Sequence, residues 1–408
     1  GLNKSGYAEG GSLSDLRVLD LTRVWAGPLA TRILGDFGAQ IIKIADPRLP
    51  IVDRSGVGNK LNRNKLSLGL RLDKDAGRRI FTELVTISDV VIENFRPRVM
   101  RNFRLAYDDI RPFNPNIVMC SMPGFGMEGP YSEYPAYGTT AEALAGIPSL
   151  IGYEPSVPMP TGIAYGDPIS GLHAIGAVLA SLRNRDIAGG GQFIDVALAA
   201  GPVITTGEFL VASSADSYER EVYGNKHTHQ SPHGAYKAAG DDNWIAISVT
   251  NDQEWMSLRS VADDDRLSDP RFFEFEGRKQ NEKLIDQVIS EWVANREAVD
   301  LMNLLQNAGV PAGRVANSRQ FLNDPHLAAR DFFVWLDEQE FGLKQYEGQS
   351  IPGNYVDKSN WEPSHQMGQD SRYILEDILG YSDEQCHSLA SEGAVAFNRE
   401  LPTSDQRD

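Results

Sequence analysis

Apolar and polar segments alternate along the first part of the chain in a way that predicts alternating strands and helices. Short apolar runs of strand length are followed by longer segments whose apolar positions recur at helical spacing. Pro28 suits the first turn of one such helix, and Gly38 stands where a helix C-cap belongs. The predicted elements are a strand at 16–21, a helix at 29–37, a strand at 40–44, a helix at 75–87, and strands at 89–93, 116–121 and 193–198. This order favours an α/β fold with a parallel sheet, whose ligands bind at the carboxyl ends of its strands.

The pattern changes after about residue 213, which predicts a smaller α+β domain at about 225–325. The elements predicted there are a strand at 244–249 and amphipathic helices at 284–293 and 299–308. Before the change, a helix at 168–183 has apolar residues on nearly all sides, which is typical of a buried helix. The small polar residues of 1–13 indicate a flexible N-terminal tail.

Composition narrows the classes of partner. Against 39 Lys and Arg there are 56 Asp and Glu among the 408 residues, a formal net charge of -17. An acidic surface repels phosphate backbones and anionic lipid, so we expect neither nucleic acid nor a membrane as partner. The apolar stretches are too short for a span of about 20 residues, and no secretion signal is visible. Cys120 and Cys386 make no disulfide framework, and no metal-ligand spacing is convincing. We expect a cytoplasmic protein without a metal site.

A segment with three glycines and a cluster of four arginines each follow a predicted strand. Residues 124–129 match the pattern G-x-G-x-x-G, but Pro130 and Pro135 follow where a dinucleotide-binding motif needs a helix. We therefore interpret 124–129 as a turn. Four arginines follow the strand at 89–93, where an α/β sheet binds ligands. Solvated surface side chains and guanidinium groups that bind phosphate are both consistent with their position. These arginines are at positions 96, 98, 101 and 104.

The segment Gly166-Asp167-Pro168 precedes the apolar helix. Asp167 is a candidate N-cap, with Pro168 at the first helical position. A cap is the more common role of such an aspartate. The alternative is a carboxylate kept ionised by the helix dipole at the mouth of the sheet, where it can act as a nucleophile.

Several motifs occur along the chain in a fixed order. They are VLDLTRVWAGP at 18–28, LGDFGA at 34–39, NRNK at 62–65, ENFRP at 93–97, GDP at 166–168, GQFIDV at 191–196, GNKH at 224–227 and GVPAG at 309–313. Together they resemble the class III CoA-transferases, also called the CaiB/BaiF family. The resemblance extends over about residues 14–380, and the ordered set is far more specific than any single motif.

The resemblance implies a large Rossmann-like domain at 14–213, a small domain at 225–325, and a C-terminal segment at 330–408 that returns to the large domain. It also implies a dimer of interlocked rings. Coenzyme A or its acyl thioester is then a substrate that lies across the N-terminal sheet, and no tightly bound cofactor is expected. The implied CoA-binding residues are Arg23, Val24, Trp25, Ala26, Leu70, Asn94, Phe95, Arg98 and Arg101. The implied substrate-pocket residues are Tyr137, Gly138, Leu198, Asn225 and His227.

The resemblance makes Asp167 the nucleophile of a CoA-transferase. Such an enzyme moves CoA from a donor acyl-CoA to an acceptor carboxylic acid through an aspartyl anhydride and an aspartyl-CoA intermediate. The family also contains α-methylacyl-CoA racemases, whose acid/base histidine falls at Tyr137 here. An ordinary tyrosine, with a pKa near 10, abstracts an α-proton poorly at neutral pH, which favours the transferase. A racemase or isomerase, and one subunit of a heteromeric transferase, remain alternatives. We expect a homodimer, or a heterodimer with a related subunit.

Overall fold

The computed structural model describes residues 11–49, 56–154, 157–216, 222–339, 341–351, 353 and 356–397. The chain divides into two compact units. The first is made of 1–148, 160–218 and 332–408, and the second of 149–159 and 219–331. The sequence assigns 149–159 to the large domain, whereas these residues lie in the second unit. Most of the expected tail at 1–13 lies outside the described residues.

The elements up to residue 216 alternate as the sequence predicts. They are β1 (Arg17–Asp20), α1 (Ala26–Asp36), β2 (Gln40–Ala45), α2 (Val57–Asn62), β3 (Lys65–Leu70), α3 (Asp75–Thr86), β4 (Val90–Glu93), α4 (Arg98–Phe103), α5 (Tyr107–Ile110), β5 (Val118–Ser121), α6 (Gly138–Leu144), α7 (Ile147–Leu150), α8 (Gly166–Ala188), β6 (Phe193–Asp195), α9 (Ala200–Ile204) and α10 (Gly207–Asp216). Residues 124–129 form a loop between β5 and α6, as predicted.

Later elements belong to the second unit and then return to the first. The second unit holds β7 (His233–Lys237), β8 (Trp244–Ser248), α11 (Asp252–Ala262), α12 (Phe275–Gln280), α13 (Glu282–Val293), α14 (Ala298–Asn307), β9 (Ala312–Val315), α15 (Ser318–Leu322) and α16 (Pro325–Ala329). The C-terminal elements are β10 (Phe333–Glu338), β11 (Gly342–Glu347), α17 (Ser371–Tyr373), α18 (Asp383–Ser391) and β12 (Val395–Ala396). Short 3₁₀ segments occur at Asp265–Ser268, Pro270–Phe272 and Lys358–Asn360, and a π-helical turn at Ile374–Ile378.

The first unit is built on a sheet of strand order β12-β3-β2-β1-β4-β5-β6. All neighbouring strands are parallel except β12, which pairs antiparallel with β3. The predicted parallel α/β sheet is therefore confirmed. Strand β3 was not among the predicted strands, although its sequence KLSLGL alternates apolar with polar or small residues, which is a strand pattern. All six of its residues are buried.

The two faces of this sheet pack against different layers of helices. In β1, Val18 and Leu19 point to opposite faces and belong to separate apolar clusters, as expected for successive strand residues. The Val18 face is covered by α1 and α8, and the Leu19 face by α3 and the turn at Ile374–Ile378. A Cβ on Gly171 of α8 would lie 2.7 Å from the carbonyl oxygen of Ala26, so glycine permits the close approach of α1 and α8.

Helix α8 differs from its prediction. The sequence predicts a helix buried on all sides, but the side of α8 away from α1 is open, with Leu172 57% exposed and Leu179 37% exposed. In a single chain, the described residues cover one side of this apolar helix. Within the described part of the chain, no helix has the length and apolar character needed to cross a membrane.

The second unit is an antiparallel sheet of order β7-β8-β9 with helices packed on it. Its core includes Trp255 and Leu258 of α11, Ile289 of α13 and Leu301 of α14, all at most 2% exposed. Trp255 and Leu258 are three residues apart and so share one face of α11, and all four residues belong to one apolar cluster with Ile245 of β8.

Candidate active site

A buried network of charged side chains holds the segment at 22–26, which follows β1. Asp20 accepts hydrogen bonds from the backbone N–H and the hydroxyl of Thr22, at 2.8 and 2.6 Å, and ion-pairs with Lys43 and Lys65. Burial alone would raise the pKa of Asp20, but the two ammonium groups and the hydroxyl donors hold that pKa well below its usual range. The network therefore fixes the start of the Thr22–Ala26 loop.

A pocket opens at the carboxyl ends of the first four strands. It is lined by Arg23 and Val24 after β1, Asp46 after β2, Leu70 of β3 and Phe95 after β4. Met367 of the C-terminal segment completes it. This is the edge of a parallel sheet where ligands bind, as the strand order predicts. Of the nine residues implied for CoA binding, four line this pocket. These are Arg23, Val24, Leu70 and Phe95.

Asp167 lies where the N-termini of three helices meet. Its carboxylate accepts a hydrogen bond from the N–H of Ala26, the first residue of α1, at 3.3 Å, and another from the N–H of Gly138, the first residue of α6. Asp167 itself is the second residue of α8 and is 6% exposed. The positive ends of helix dipoles favour an anion at such a place.

The predicted capping role of Asp167 is wrong. Helix α8 begins at Gly166, and the Asp167 side chain makes no capping hydrogen bond to its own helix. The carboxylate instead turns to the backbone of α1 and α6, whose N–H donors are unsatisfied within their own helices. Burial raises the pKa of Asp167, and the negative charge of Glu142 adds to this rise. The N–H groups of Ala26 and Gly138 oppose it.

Gly138 permits this arrangement because it has no side chain. A Cβ at this position would lie 2.0 Å from Oδ2 of Asp167 and 2.7 Å from the carbonyl oxygen of Ala164. Real Cβ atoms do not approach other atoms so closely, so any larger residue would displace the carboxylate.

Glu142 is a buried residue of the site that the sequence did not reveal. It is fully buried in α6 and accepts hydrogen bonds from the hydroxyl of Thr161 at 2.7 Å, from the N–H of Thr161 at 3.3 Å and from the N–H of Tyr165. It therefore holds the chain just before α8. A glutamate within the run AEALAG, among small apolar residues, is the signal that could have indicated its burial. Lys65 at the head of an apolar strand is a similar signal for the network below β1.

Metal chemistry was not expected. Among the described side chains, no group of three or more His, Cys, Asp or Glu is placed to hold a metal ion.

The comparison with protein-family models decides the family. Residues 13–370 match the model described as CoA-transferase family III. The chain belongs to CoA-transferase family III. The resemblance to the class III CoA-transferases is therefore confirmed.

Curated relatives of this family III chain are CoA-transferases. It is 28% identical over 399 residues to a succinyl-CoA–D-citramalate CoA-transferase of Chloroflexus aurantiacus, with 94% of this chain and 98% of the relative covered. It is 29% identical to the human succinyl-CoA:glutarate CoA-transferase, with 94% and 90% covered. A formyl-CoA:oxalate CoA-transferase of Streptomyces avermitilis is 30% identical, with 94% and 99% covered.

Solved structures share the fold of this family III chain. A CaiB/BaiF family protein from Brucella suis has a TM-score of 0.83 at 26% identity, with 91% of this chain and 100% of that chain covered. Rv3272 from Mycobacterium tuberculosis has a TM-score of 0.76 at 24% identity.

The remaining implied CoA-binding residues of this family III chain lie around the pocket without lining it. Trp25 precedes the first residue of α1, and Asn94 binds the backbone of Arg23 with its side chain. Arg98 and Arg101 are exposed on α4 and face Glu133, at 3.9 and 3.4 Å.

The implied substrate-pocket residues are divided between the two units. Tyr137 lies beside Gly138 and is 63% exposed. Leu198 is buried in the core, and its carbonyl oxygen accepts a hydrogen bond from Ser170. Asn225 and His227 belong to the second unit, where the ring of His227 packs against that of His233 with centroids 5.4 Å apart.

Proposed function

We propose that this enzyme transfers CoA between carboxylic acids by covalent catalysis on Asp167. The observation that carries the proposal is the environment of Asp167, whose buried carboxylate accepts hydrogen bonds from the N–H groups of Ala26 and Gly138. Ala26 also ends the loop whose Arg23 and Val24 line the pocket. The segment at 23–26 therefore contacts both: its first two residues line the pocket, and its last binds the Asp167 carboxylate.

In the first step, one carboxylate oxygen of Asp167 attacks the carbonyl carbon of the donor thioester. The carbon–sulfur bond breaks, CoA leaves as its thiolate, and an aspartyl–acyl anhydride forms. The thiolate then attacks the Asp167 carbonyl carbon and expels the donor acid as its carboxylate. Asp167 is left as a thioester with CoA, and no proton has been gained or lost.

The second half reverses these steps with the acceptor acid. The acceptor carboxylate attacks the carbonyl carbon of the aspartyl thioester. The CoA thiolate leaves, and a new anhydride joins Asp167 to the acceptor acid. Attack of the thiolate on the acceptor carbonyl gives the new acyl-CoA and frees the Asp167 carboxylate. Because both half-reactions exchange one carboxylate for another, the overall reaction is close to thermoneutral.

The N–H groups that hold Asp167 also suit its transition states. The Asp167 oxygen that does not attack becomes the carbonyl oxygen of the anhydride and of the thioester. It carries negative charge whenever its carbon is attacked. An N–H that already points at this oxygen needs no reorganisation to stabilise that charge. We assign this role to the backbone N–H of Ala26, which points at Oδ1.

The pocket residues suggest where CoA binds. We propose that Arg23, Val24, Leu70 and Phe95 contact its nucleotide part, since these four line one pocket at the carboxyl edge of the sheet. Trp25, Asn94, Arg98 and Arg101 lie nearby in sequence. As the first donor to test we propose succinyl-CoA, which is named in several of the relatives.

The assembly that we propose is a homodimer. Its support is the apolar side of α8, where Leu172 and Leu179 are exposed in the single chain. One relative is the β subunit of a succinyl-CoA–L-malate CoA-transferase, so co-purification of a related chain would identify a heterodimer instead.

Asp167→Asn is the test of the proposed mechanism. Acyl exchange from succinyl-CoA to a pool of carboxylic acids is followed by mass spectrometry of the CoA esters, and the enzyme is treated with borohydride to trap an adduct. We expect kcat to fall by at least about 10⁴-fold, as for other covalent nucleophiles, and the adduct on the Asp167 peptide to disappear. The matched control is Asp186→Asn, at the far end of the same helix and exposed, which should leave both unchanged.

Two results would contradict the mechanism. Exchange that survives in Asp167→Asn would exclude Asp167 as the nucleophile. Deuterium uptake at the α-carbon of a branched acyl-CoA, without acceptor acid and without an adduct, would favour the racemase.

A further inference from the structure

The Thr22–Ala26 loop is strained at one residue. Val24 has φ of +68°, in the left-handed region that β-branched residues avoid. Among the described residues other than glycine with such a φ, Val24 is the β-branched one. Its side chain is 55% exposed and lines the pocket. No packing of this side chain in the core therefore holds the conformation, and other contacts must do so.

Asn94 supplies such contacts to the residue before Val24. Its side-chain oxygen accepts a hydrogen bond from the N–H of Arg23 at 2.8 Å, and its side-chain amide donates to the carbonyl oxygen of Arg23 at 2.7 Å. Both backbone groups of Arg23 are thus satisfied by one side chain.

The two hydrogen bonds between Asn94 and Arg23 extend the pairing of β1 and β4 beyond the end of their backbone ladder. Strand β1 pairs with β4 up to Asp20 and Ile92, and the N–H of Leu21 still donates to the carbonyl of Ile92 at 2.9 Å. Beyond that point the side chain of Asn94 takes the place of a strand backbone. Since Asp20 binds the N–H of Thr22, two successive residues are fixed immediately before Val24.

The backbone that follows Val24 contacts the proposed nucleophile, Asp167. Two residues beyond Val24, the N–H of Ala26 donates to Oδ1 of Asp167. A change of φ at Val24 would rotate the chain that follows and move this N–H away from the carboxylate.

We infer that Asn94 is a positioning residue, which holds Val24 in its left-handed conformation and so aligns the N–H of Ala26 with Asp167. This inference rests on the proposed role of Asp167 and assigns Asn94 a part in the chemical step. A residue that only contacted CoA would instead change the affinity for CoA.

A double-mutant cycle of Asn94→Ala and Val24→Gly tests the inference. Glycine adopts a positive φ without steric cost, so the conformation of the loop depends less on the hydrogen bonds from Asn94 when residue 24 is glycine. In the presence of Val24, we expect Asn94→Ala to lower kcat by roughly 10- to 100-fold, the scale of a misplaced catalytic group. In the Val24→Gly background the loss should be at least about fivefold smaller. Asn102→Ala, an exposed asparagine on α4, is the matched control and should leave kcat unchanged.

Equal losses of kcat in the two backgrounds would overturn the inference. So would an effect of Asn94→Ala that is confined to the KM for acyl-CoA. Asn94→Asp is the second variant. Its carboxylate accepts from the N–H of Arg23 but repels the carbonyl oxygen, so we expect an intermediate loss. Circular dichroism and urea titration of each variant verify the fold.

A measurement that needs no catalysis separates this inference from the proposed function. Amide hydrogen exchange of a peptide covering residues 22–27 should become faster in Asn94→Ala in the free protein. If the wild-type protein exchanges no acyl groups, the proposed function fails, and this peptide still decides whether Asn94 holds the loop. Unchanged protection would overturn the inference.

Discussion

At the scale of single residues, opposed effects set the pKa of Asp167. Burial and the charge of Glu142 raise its pKa, while the N–H groups of Ala26 and Gly138 lower it. Burial also removes water that would shield the Asp167 carboxylate and would hydrolyse the proposed anhydride. The N–H groups replace part of the lost hydration with fixed donors.

Gly138→Ala should displace the proposed nucleophile, Asp167, without removing it. Its Cβ would overlap Oδ2 of Asp167, so the carboxylate must move by about 1 Å or more. We expect kcat to fall by roughly 100-fold. The measurement is a steady-state comparison with Gly313→Ala, a glycine of β9 where an added Cβ meets no atom within 4 Å. An active Gly138→Ala enzyme would contradict the geometry of the site.

Glu142→Gln should alter the pH dependence of catalysis. The negative charge of Glu142 raises the pKa of Asp167. The proposed mechanism needs Asp167 ionised. Removing that charge lowers the pKa of Asp167, so the acidic limb of the kcat profile should move to lower pH. Glu133→Gln, which removes a carboxylate at the surface, is the control and should leave the limb in place. A shift to higher pH would contradict this electrostatic coupling.

At the scale of elements, the site depends on segments that converge from distant parts of the chain. Helices α1, α6 and α8 bring their N-termini together around Asp167. The C-terminal segment adds Met367 to the pocket, and Asp370 anchors that segment by accepting from the N–H of Ser67 of β3 at 2.7 Å.

His365 should make this anchoring dependent on pH. Its ring lies 2.7 Å from Asp370 and 3.3 Å from Glu362. Burial would lower its pKa, but these two carboxylates outweigh burial and raise the pKa to about 9. Because the folded pKa exceeds the ordinary value of about 6.5, the stabilisation is complete below pH 6.5 and is lost as the pH rises through about 9.

His365→Gln isolates this effect. The free energy of unfolding by urea should fall by at most about 3 kcal/mol below pH 6.5, and the difference from wild type should vanish above pH 9. His387→Gln, an exposed histidine of α18, should not change the profile in this way. A difference that is constant with pH would mean that His365 acts through packing alone.

At the scale of the whole molecule, apolar side chains of the first unit are left exposed on α8 to α10. Besides Leu172 these include Ile204, Leu210 and Val211, each more than half exposed. If a second chain covers them, sedimentation equilibrium should give a dimer, and Val211→Asp should weaken it. Phe113→Ser, at an exposed residue after α5, should not. A monomer at micromolar concentration that retains full activity would contradict the proposed homodimer.

Local patterns in the sequence determined much of the architecture. The strands at 16–21 and 40–44 and the helix at 75–87 were predictable, since apolar periodicity reflects which face of an element is buried. The order of the motifs identified the family and singled out Asp167. Strand β3 was missed although its alternating sequence is itself a strand pattern; what the sequence did not indicate is that both of its faces are buried.

Only the tertiary structure decided what surrounds Asp167. Its donor Ala26 is 141 residues away in sequence, and Glu142 acts through the loop before α8. The same limit explains why the sequence favoured an N-cap role for Asp167 and burial of α8 on all sides, neither of which holds within the single chain. Periodicity is a local property of the chain. The partner of a side chain depends instead on which distant elements meet, and that is fixed when the helices pack on the sheet.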